Sequence, residues 1–171
     1  MPELAYRIRQ SARLNGTFTL RSGKVSDTYF DKYQFEADPR LLLAVAEKLK
    51  DLIPDGTEVL AGLEMGGIPI VVMLSQVSGI PAAFIRKQPK DYGSCRYAEG
   101  APLEDKKFVL VEDVASSGGA ILGAFGQLKS DRYLPCAALC VIDRESGSKE
   151  ALAEAGLDLK SLYTFSDVEN A

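Results

Sequence analysis

The chain has 171 residues, 46% of them hydrophobic, with a formal net charge of −4 and no histidine. That length and apolar content fit one α/β-sized domain, residues 1–171, with a real core. The mild acidity argues against an extended nucleic-acid surface, and the missing imidazole removes His-based metal, triad and general-base schemes.

Met1 to Arg7 carries an early acid and no extended apolar core, so it does not read as a signal peptide. Leu4, Ile8 and Ala12 fall four apart, and with Leu14 and a stop at Asn15-Gly16 they predict a short amphipathic helix that flanks the core. Phe18 to Asp31 alternates extended residues around Ser22-Gly23-Lys24, as a hairpin does. Residues 1–37 thus form a small N-terminal hood or flank. Asp38-Pro39 is an N-cap with proline at the first helical position, and Leu42, Val45, Ala46, Leu49 and Ile53 make one apolar stripe.

A short strand, Glu58 to Ala61, leads through Gly62-Leu63-Glu64-Met65-Gly66-Gly67 into the apolar run Ile68 to Leu74. That run is far short of the roughly 20 residues a membrane-spanning helix needs. The glycines either expose backbone amides to an anion or let strand and helix pack closely, and both readings stand. Ala82 to Ile85 is another buried strand. Beyond it Arg86, Lys87, Lys90 and Arg96 place four cations in eleven residues. The segment 88–105 has no clear period and contains Pro and Gly, so a mobile loop is expected, able to close on leaving-group charge.

Phe108 to Val111 reads as a strand covered on both faces. Glu112 and Asp113 follow, then Ser116, Ser117, Gly118 and Gly119, then Ala120, Ile121, Leu122, Ala124, Phe125 and Leu128 at helical spacing. Small residues opening a helix let successive N–H groups converge on a phosphate. The two acids, which only accept hydrogen bonds, suit hydroxyls. The combination implies a ligand with a phosphate beside a diol, as in a ribose 5-phosphate. No Lys follows the glycines and no Gly-x-Gly-x-x-Gly occurs, which excludes a Walker loop and a dinucleotide fingerprint. Cys136 to Ile142 is the next strand, and its two cysteines, with the odd Cys95, read as reduced thiols of a cytoplasmic protein. Arg144 ends that strand with a donor fork suited to a carboxylate, although on residues alone a salt bridge to Asp143 or Glu145 is the commoner outcome. A short helix, Lys149 to Ala155, and a last strand, Ser161 to Phe165, precede an acidic tail.

Val109 to Gly119 resembles the phosphoribosyl pyrophosphate (PRPP) motif of the type I phosphoribosyltransferases. Leu20-Arg21-Ser22-Gly23-Lys24-Val25-Ser26 before Tyr29 and Phe30, Arg86-Lys87-Gln88-Pro89-Lys90-Asp91, and Asp143-Arg144 through Gly147 resemble the orotate branch of that family. The resemblance spans about residues 17–168 and implies the family fold: a largely parallel five-stranded sheet flanked by helices, with the hood over a core of residues 38–171. It implies transfer of phosphoribosyl from PRPP to orotate, with Mg²⁺ carried by PRPP and no dedicated protein ligand set. It further implies a homodimer whose loop reaches the neighbouring site, and no nucleic-acid or membrane partner. By resemblance Arg21, Arg86, Lys87, Lys90, Glu112, Asp113, Val114, Ala115, Ser116, Ser117, Gly118, Gly119 and Ala120 hold PRPP. Lys87, Lys90 and Asp113 are the catalytic set, and Tyr29, Phe30, Ser116 and Arg144 hold orotate. Two departures stand out: Gly66, where many orotate enzymes have Lys, and Tyr92, where His is frequent. A purine phosphoribosyltransferase and a non-catalytic PRPP sensor are the alternatives, and a chain that also decarboxylates its product is not expected, because a barrel domain alone needs about 250 residues.

Overall fold

The computed structural model describes residues 2–19, 23–88 and 97–171. Helix α1 (Pro2–Ala12) runs into strand β1 (Arg13–Thr19), which pairs antiparallel with β2 (Val25–Phe30). Helices α2 (Lys32–Ala37) and α3 (Pro39–Leu49) follow. Asp38 caps α3 as its sequence predicts, its Oδ1 accepting from Arg40 N at 2.9 Å and Leu41 N at 3.0 Å. Then come β3 (Val59–Leu63), α4 (Gly67–Ser78), β4 (Ala82–Ile85), β5 (Ala98–Gly100), β6 (Phe108–Ala115), α5 (Gly119–Ser130), β7 (Ala137–Asp143), α6 (Ser148–Glu154), β8 (Leu159–Thr164) and α7 (Phe165–Glu169).

The main sheet has the order β5-β4-β3-β6-β7-β8, parallel except for β5, which runs antiparallel to β4. From β3 the chain winds outward through β4 and β5, then returns to β6 and winds the other way. The carboxyl ends of β3 and β6 therefore form the switch point at which ligands bind in open α/β sheets. Alternate residues of β6 feed two cores. Val109 and Val111 pack with residues of α1, α3 and α4, whereas Phe108 and Leu110 pack with residues of α5 and α6. Ala5, Ile8, Ala12 and Phe35 belong to the first of these cores, which ties the N-terminal helices to the sheet.

Four expectations change. The sheet has six strands among the described residues where five were expected, because Ala98–Gly100 lies within the segment read as loop; three residues carry no readable alternation. Asn15-Gly16 does not end the first helix but lies inside β1, where the register shifts between Asn15 and Phe18 and a Cβ on Gly16 would meet the Phe18 ring at 3.3 Å. β6 runs four residues beyond Val111 and takes both acids into the strand. The tail is helical, closed by a capping box between Thr164 and Asp167.

Candidate active site

The first turn of α5 is built to receive an anion. Its N-cap, Gly118, has φ 76° and offers no side-chain hydrogen bond to the helix, so the opening N–H groups are left without a side-chain cap. A residue with a Cβ is strained at that φ, and its Cβ would meet Ser148 O at 3.4 Å and Leu152 Cγ at 3.5 Å. Ser116 and Ser117 are exposed beside it. Glu112 and residues 114–121 line a cavity of about 430 Å³. Neither Asp113 nor Ser116 caps this helix.

A second cavity, about 420 Å³, meets the first at Gly119 and Ala120 and brings in Glu64, Arg86 and Lys87. Arg86 is fixed by its N–H to Tyr97 O at 3.0 Å, and Lys87 by its N–H to Glu64 Oε1 at 2.8 Å. Two of the expected cations thus face the anion-binding turn from the end of β4. The other two PRPP contacts expected from the resemblance, Arg21 and Lys90, lie outside the described residues, as does Tyr92.

The third cavity, about 260 Å³, joins Tyr29, Phe30 and Arg144 with Arg13, Ser26, Thr28, Phe165 and Glu169. Arg144 does not take up the salt bridge expected from its neighbours. Asp143 instead accepts from Ser148 Oγ at 2.6 Å and lies 3.6 Å from Lys149 Nζ, and Glu145 accepts from Ser166 Oγ at 2.6 Å. The Arg144 guanidinium stacks 4.3 Å above the Phe165 ring, which leaves its edge donors for a planar acidic ligand. Phe165 in turn meets Phe30 edge-on at 5.5 Å. Arg144 N donates to Ala115 O at 2.8 Å and couples this cavity to the anion loop. Ser116, expected at both PRPP and the base, lines the anion cavity. Sequence reasoning missed Phe165, because its apolar run reads as the end of a strand.

Glu112 and Asp113 do not act as a side-by-side pair. Successive strand residues point to opposite faces, and Glu112 accordingly lines the anion cavity while Asp113 has no exposed surface. The Asp113 carboxylate, which the motif resemblance assigns to a ribose diol, is engaged by groups of the protein. Asp113 Oδ1 accepts from Val114 N at 2.6 Å, and Lys32 Nζ lies 2.6 Å from Oδ2. Glu112 Oε1 accepts from Asp113 N at 3.1 Å.

Around Asp113 the charges sort by environment. Burial, then the neighbouring Asp113, pushes the Glu36 carboxyl up to about 9, so at neutral pH it is an un-ionised acid beside Asp113. Burial and Asp113 likewise push Glu112 well above the carboxylate range. Burial works against the Asp113 charge, but the neighbouring Glu112, Glu36 and Lys32 side chains outweigh it and hold Asp113 low. Burial also opposes the Lys32 ammonium, and Asp113 outweighs it there too.

Gly62 in β3, Gly66 in the β3–α4 turn and Gly67 at the start of α4 all stand where neighbours pack closely. A Cβ on Gly62 would overlap Val71 and Gly67 O, one on Gly67 would overlap Val111 O, and one on Gly66 would fall on the Asp113 carboxylate.

A parallel α/β sheet with an anion-binding turn at its switch point and cations facing that turn defines a phosphate-ester-handling enzyme of the nucleotide class. A phosphoribosyl transferase domain model matches residues 32–155, and the chain belongs to that family. It is similar to the orotate phosphoribosyltransferase of Nocardioides sp., 44% identical over 168 residues that cover 98% of this chain and 94% of that protein. The orotate phosphoribosyltransferase of Methanocella arvoryzae is 37% identical over 167 residues, 97% of this chain and 95% of that one. Among solved structures, orotate phosphoribosyltransferase from Mycobacterium tuberculosis superposes with a TM-score of 0.89 at 27% identity, covering 98% of this chain and 97% of that one.

Proposed function

We propose that this chain transfers the 5-phosphoribosyl group of PRPP to orotate, giving orotidine 5′-monophosphate and pyrophosphate. The observation that carries this reading is the coupling of two unlike cavities through one hydrogen bond, Arg144 N to Ala115 O at 2.8 Å. One cavity offers uncapped helix N–H groups to a phosphate, and the other offers a stacked guanidinium to a planar carboxylate. The orotate branch to which the curated relatives belong makes the same choice of base.

No protein nucleophile is required. The bond from C1 of the ribose to pyrophosphate breaks as N1 of orotate bonds to the same carbon, so positioning and charge neutralisation carry the catalysis. Residues 116–120 hold the 5-phosphate, Arg86 and Lys87 face the leaving pyrophosphate, and Arg144 with Tyr29 and Phe30 orients the base. Among the described residues no group of three or more acidic or thiol side chains is arranged to hold a metal ion. That donor set fits a Mg²⁺ held mainly by PRPP oxygens and water, as this hard cation prefers. When bound, the ion neutralises pyrophosphate charge.

A homodimer is part of the proposal. Met65 and Val72, on the β3–α4 turn and on α4, are 60% and 43% exposed, and a second copy covering this apolar face would also bring its loop near the site. The proposal also places the protein in the cytoplasm, consistent with Cys136 and Cys140 as free thiols.

The test is pyrophosphate release by purified protein with PRPP and Mg²⁺, run in parallel with orotate, uracil, adenine, hypoxanthine and xanthine. Turnover with orotate alone is expected. Turnover with a purine would overturn the reading of the Arg144 cavity, and PRPP binding without turnover on any base would make the chain a sensor.

A further inference from the structure

Lys32 and Glu36 stand four apart on α2, a spacing that ordinarily gives an exposed ion pair on a helix surface. Here that face of the helix lies on the carboxyl end of β6. Glu36 is 6% exposed, and the Lys32 side chain keeps 33% of its surface while its ammonium sits 2.6 Å from the fully buried Asp113 Oδ2. Directly behind that carboxylate is the backbone of Gly66, where no side chain fits. The order ammonium, carboxylate, glycine is thus stacked at the switch point between β3 and β6, the place where this sheet binds its ligand. An exposed lysine sweeps many rotamers, whereas this one is held in place by a buried carboxylate and keeps one-third of its surface exposed.

Resting on the reading of the site as a PRPP site, we propose that Lys32 is a PRPP-contacting residue whose ammonium, held by Asp113 at the β3–α4 turn, meets the pyrophosphate group. Arg86 and Lys87 reach the same group from β4, so the leaving group is neutralised from two sides. Asp113 then acts as a positioning residue for Lys32. Glu36 completes the arrangement as the un-ionised acid that lets a second carboxyl sit beside Asp113 without a second charge.

The experiment compares wild type with Lys32→Ala in steady-state turnover with orotate and in product inhibition by pyrophosphate. Loss of a charge-assisted contact raises the KM for PRPP and the Ki for pyrophosphate about tenfold to a hundredfold. The KM for orotate and the Ki for ribose 5-phosphate stay within about twofold, which a merely structural defect would not achieve. Ethylamine added to Lys32→Ala restores part of the loss. Should Lys32→Ala fail to fold with Asp113 unpaired, Lys32→Ala/Asp113→Asn removes both charges and is read the same way. An unchanged pyrophosphate Ki in the folded single or double variant overturns the role of Lys32. A wild-type protein inactive with PRPP and orotate overturns the functional reading instead, so the two failures are distinguishable.

Discussion

Gly66 backs directly onto the Asp113 carboxylate: a Cβ at position 66 would occupy the space of that carboxyl group. The relationship explains why a Lys at this position, frequent in the orotate branch that the sequence resembles, is incompatible with this arrangement of Asp113. Strand and turn have been fitted to each other, with the cation supplied from α2.

Gly66→Ala therefore forces Asp113 out of its place between Val114 N and Lys32. Overpacking of this kind costs about 1–3 kcal/mol, and in a chain of this size each kcal/mol lowers Tm by about 2–4 °C. Activity with orotate should fall together with Tm, whereas Gly123→Ala, on an open face of α5 with nothing near its Cβ, should leave Tm unchanged or higher. Thermal melts of the two variants decide it. A Gly66→Ala protein with wild-type Tm would mean that Asp113 has another place to go.

Glu36 makes stability depend on pH in the direction opposite to an ordinary salt-bridged acid. Its folded pKa is raised from 4.5 to about 9, so between these values the folded state holds a proton that the unfolded state has released. The contribution of Glu36 to stability is then greatest below about 4.5 and is lost progressively as pH rises toward 9. Glu36→Gln keeps the shape of the side chain and removes the ionisation. It should match wild type near pH 5 and exceed it in Tm at pH 8–9. Equal pH profiles of Tm for the two proteins would contradict the assignment.

Much of this architecture is legible in the residues. Asp38-Pro39 marks a helix start because a side-chain acceptor and a fixed φ act locally, and Gly118-Gly119 before the apolar helical spacing marks the start of α5. What stayed hidden depends on distant partners. Glu112 and Asp113 read as two acids at the carboxyl end of the strand Phe108 to Val111, yet pairing of Glu112 with Cys140 and of Val114 with Ile142 on β7 extends the strand through them and turns them to opposite faces. Nothing nearby in sequence tells that Lys32, four residues before Glu36 on α2, reaches Asp113 on β6. β5 exists through pairing with β4 alone, and Phe165 acquires its role from Arg144, 21 positions earlier.

Arg144 is the residue on which the choice of base turns. Its guanidinium carbon lies 4.3 Å from the centre of the Phe165 ring, and its acidic neighbours are engaged by Ser148, Lys149 and Ser166, so among the described residues the donor fork is not spent on an ion pair. A bidentate contact to a carboxylate lost in Arg144→Ala should lower kcat/KM for orotate about tenfold to a hundredfold while the KM for PRPP stays within about twofold. Lys keeps the charge but neither stacks as a plane nor offers the fork, so Arg144→Lys should recover little of the loss. Phe165→Leu, which keeps the apolar floor but removes the stacking face, should give an intermediate loss confined to orotate. Steady-state kinetics with each substrate varied in turn separates these outcomes. If Arg144→Lys were as active as wild type, the site would be reading charge alone, and the orotate carboxylate would have to be recognised elsewhere in the cavity.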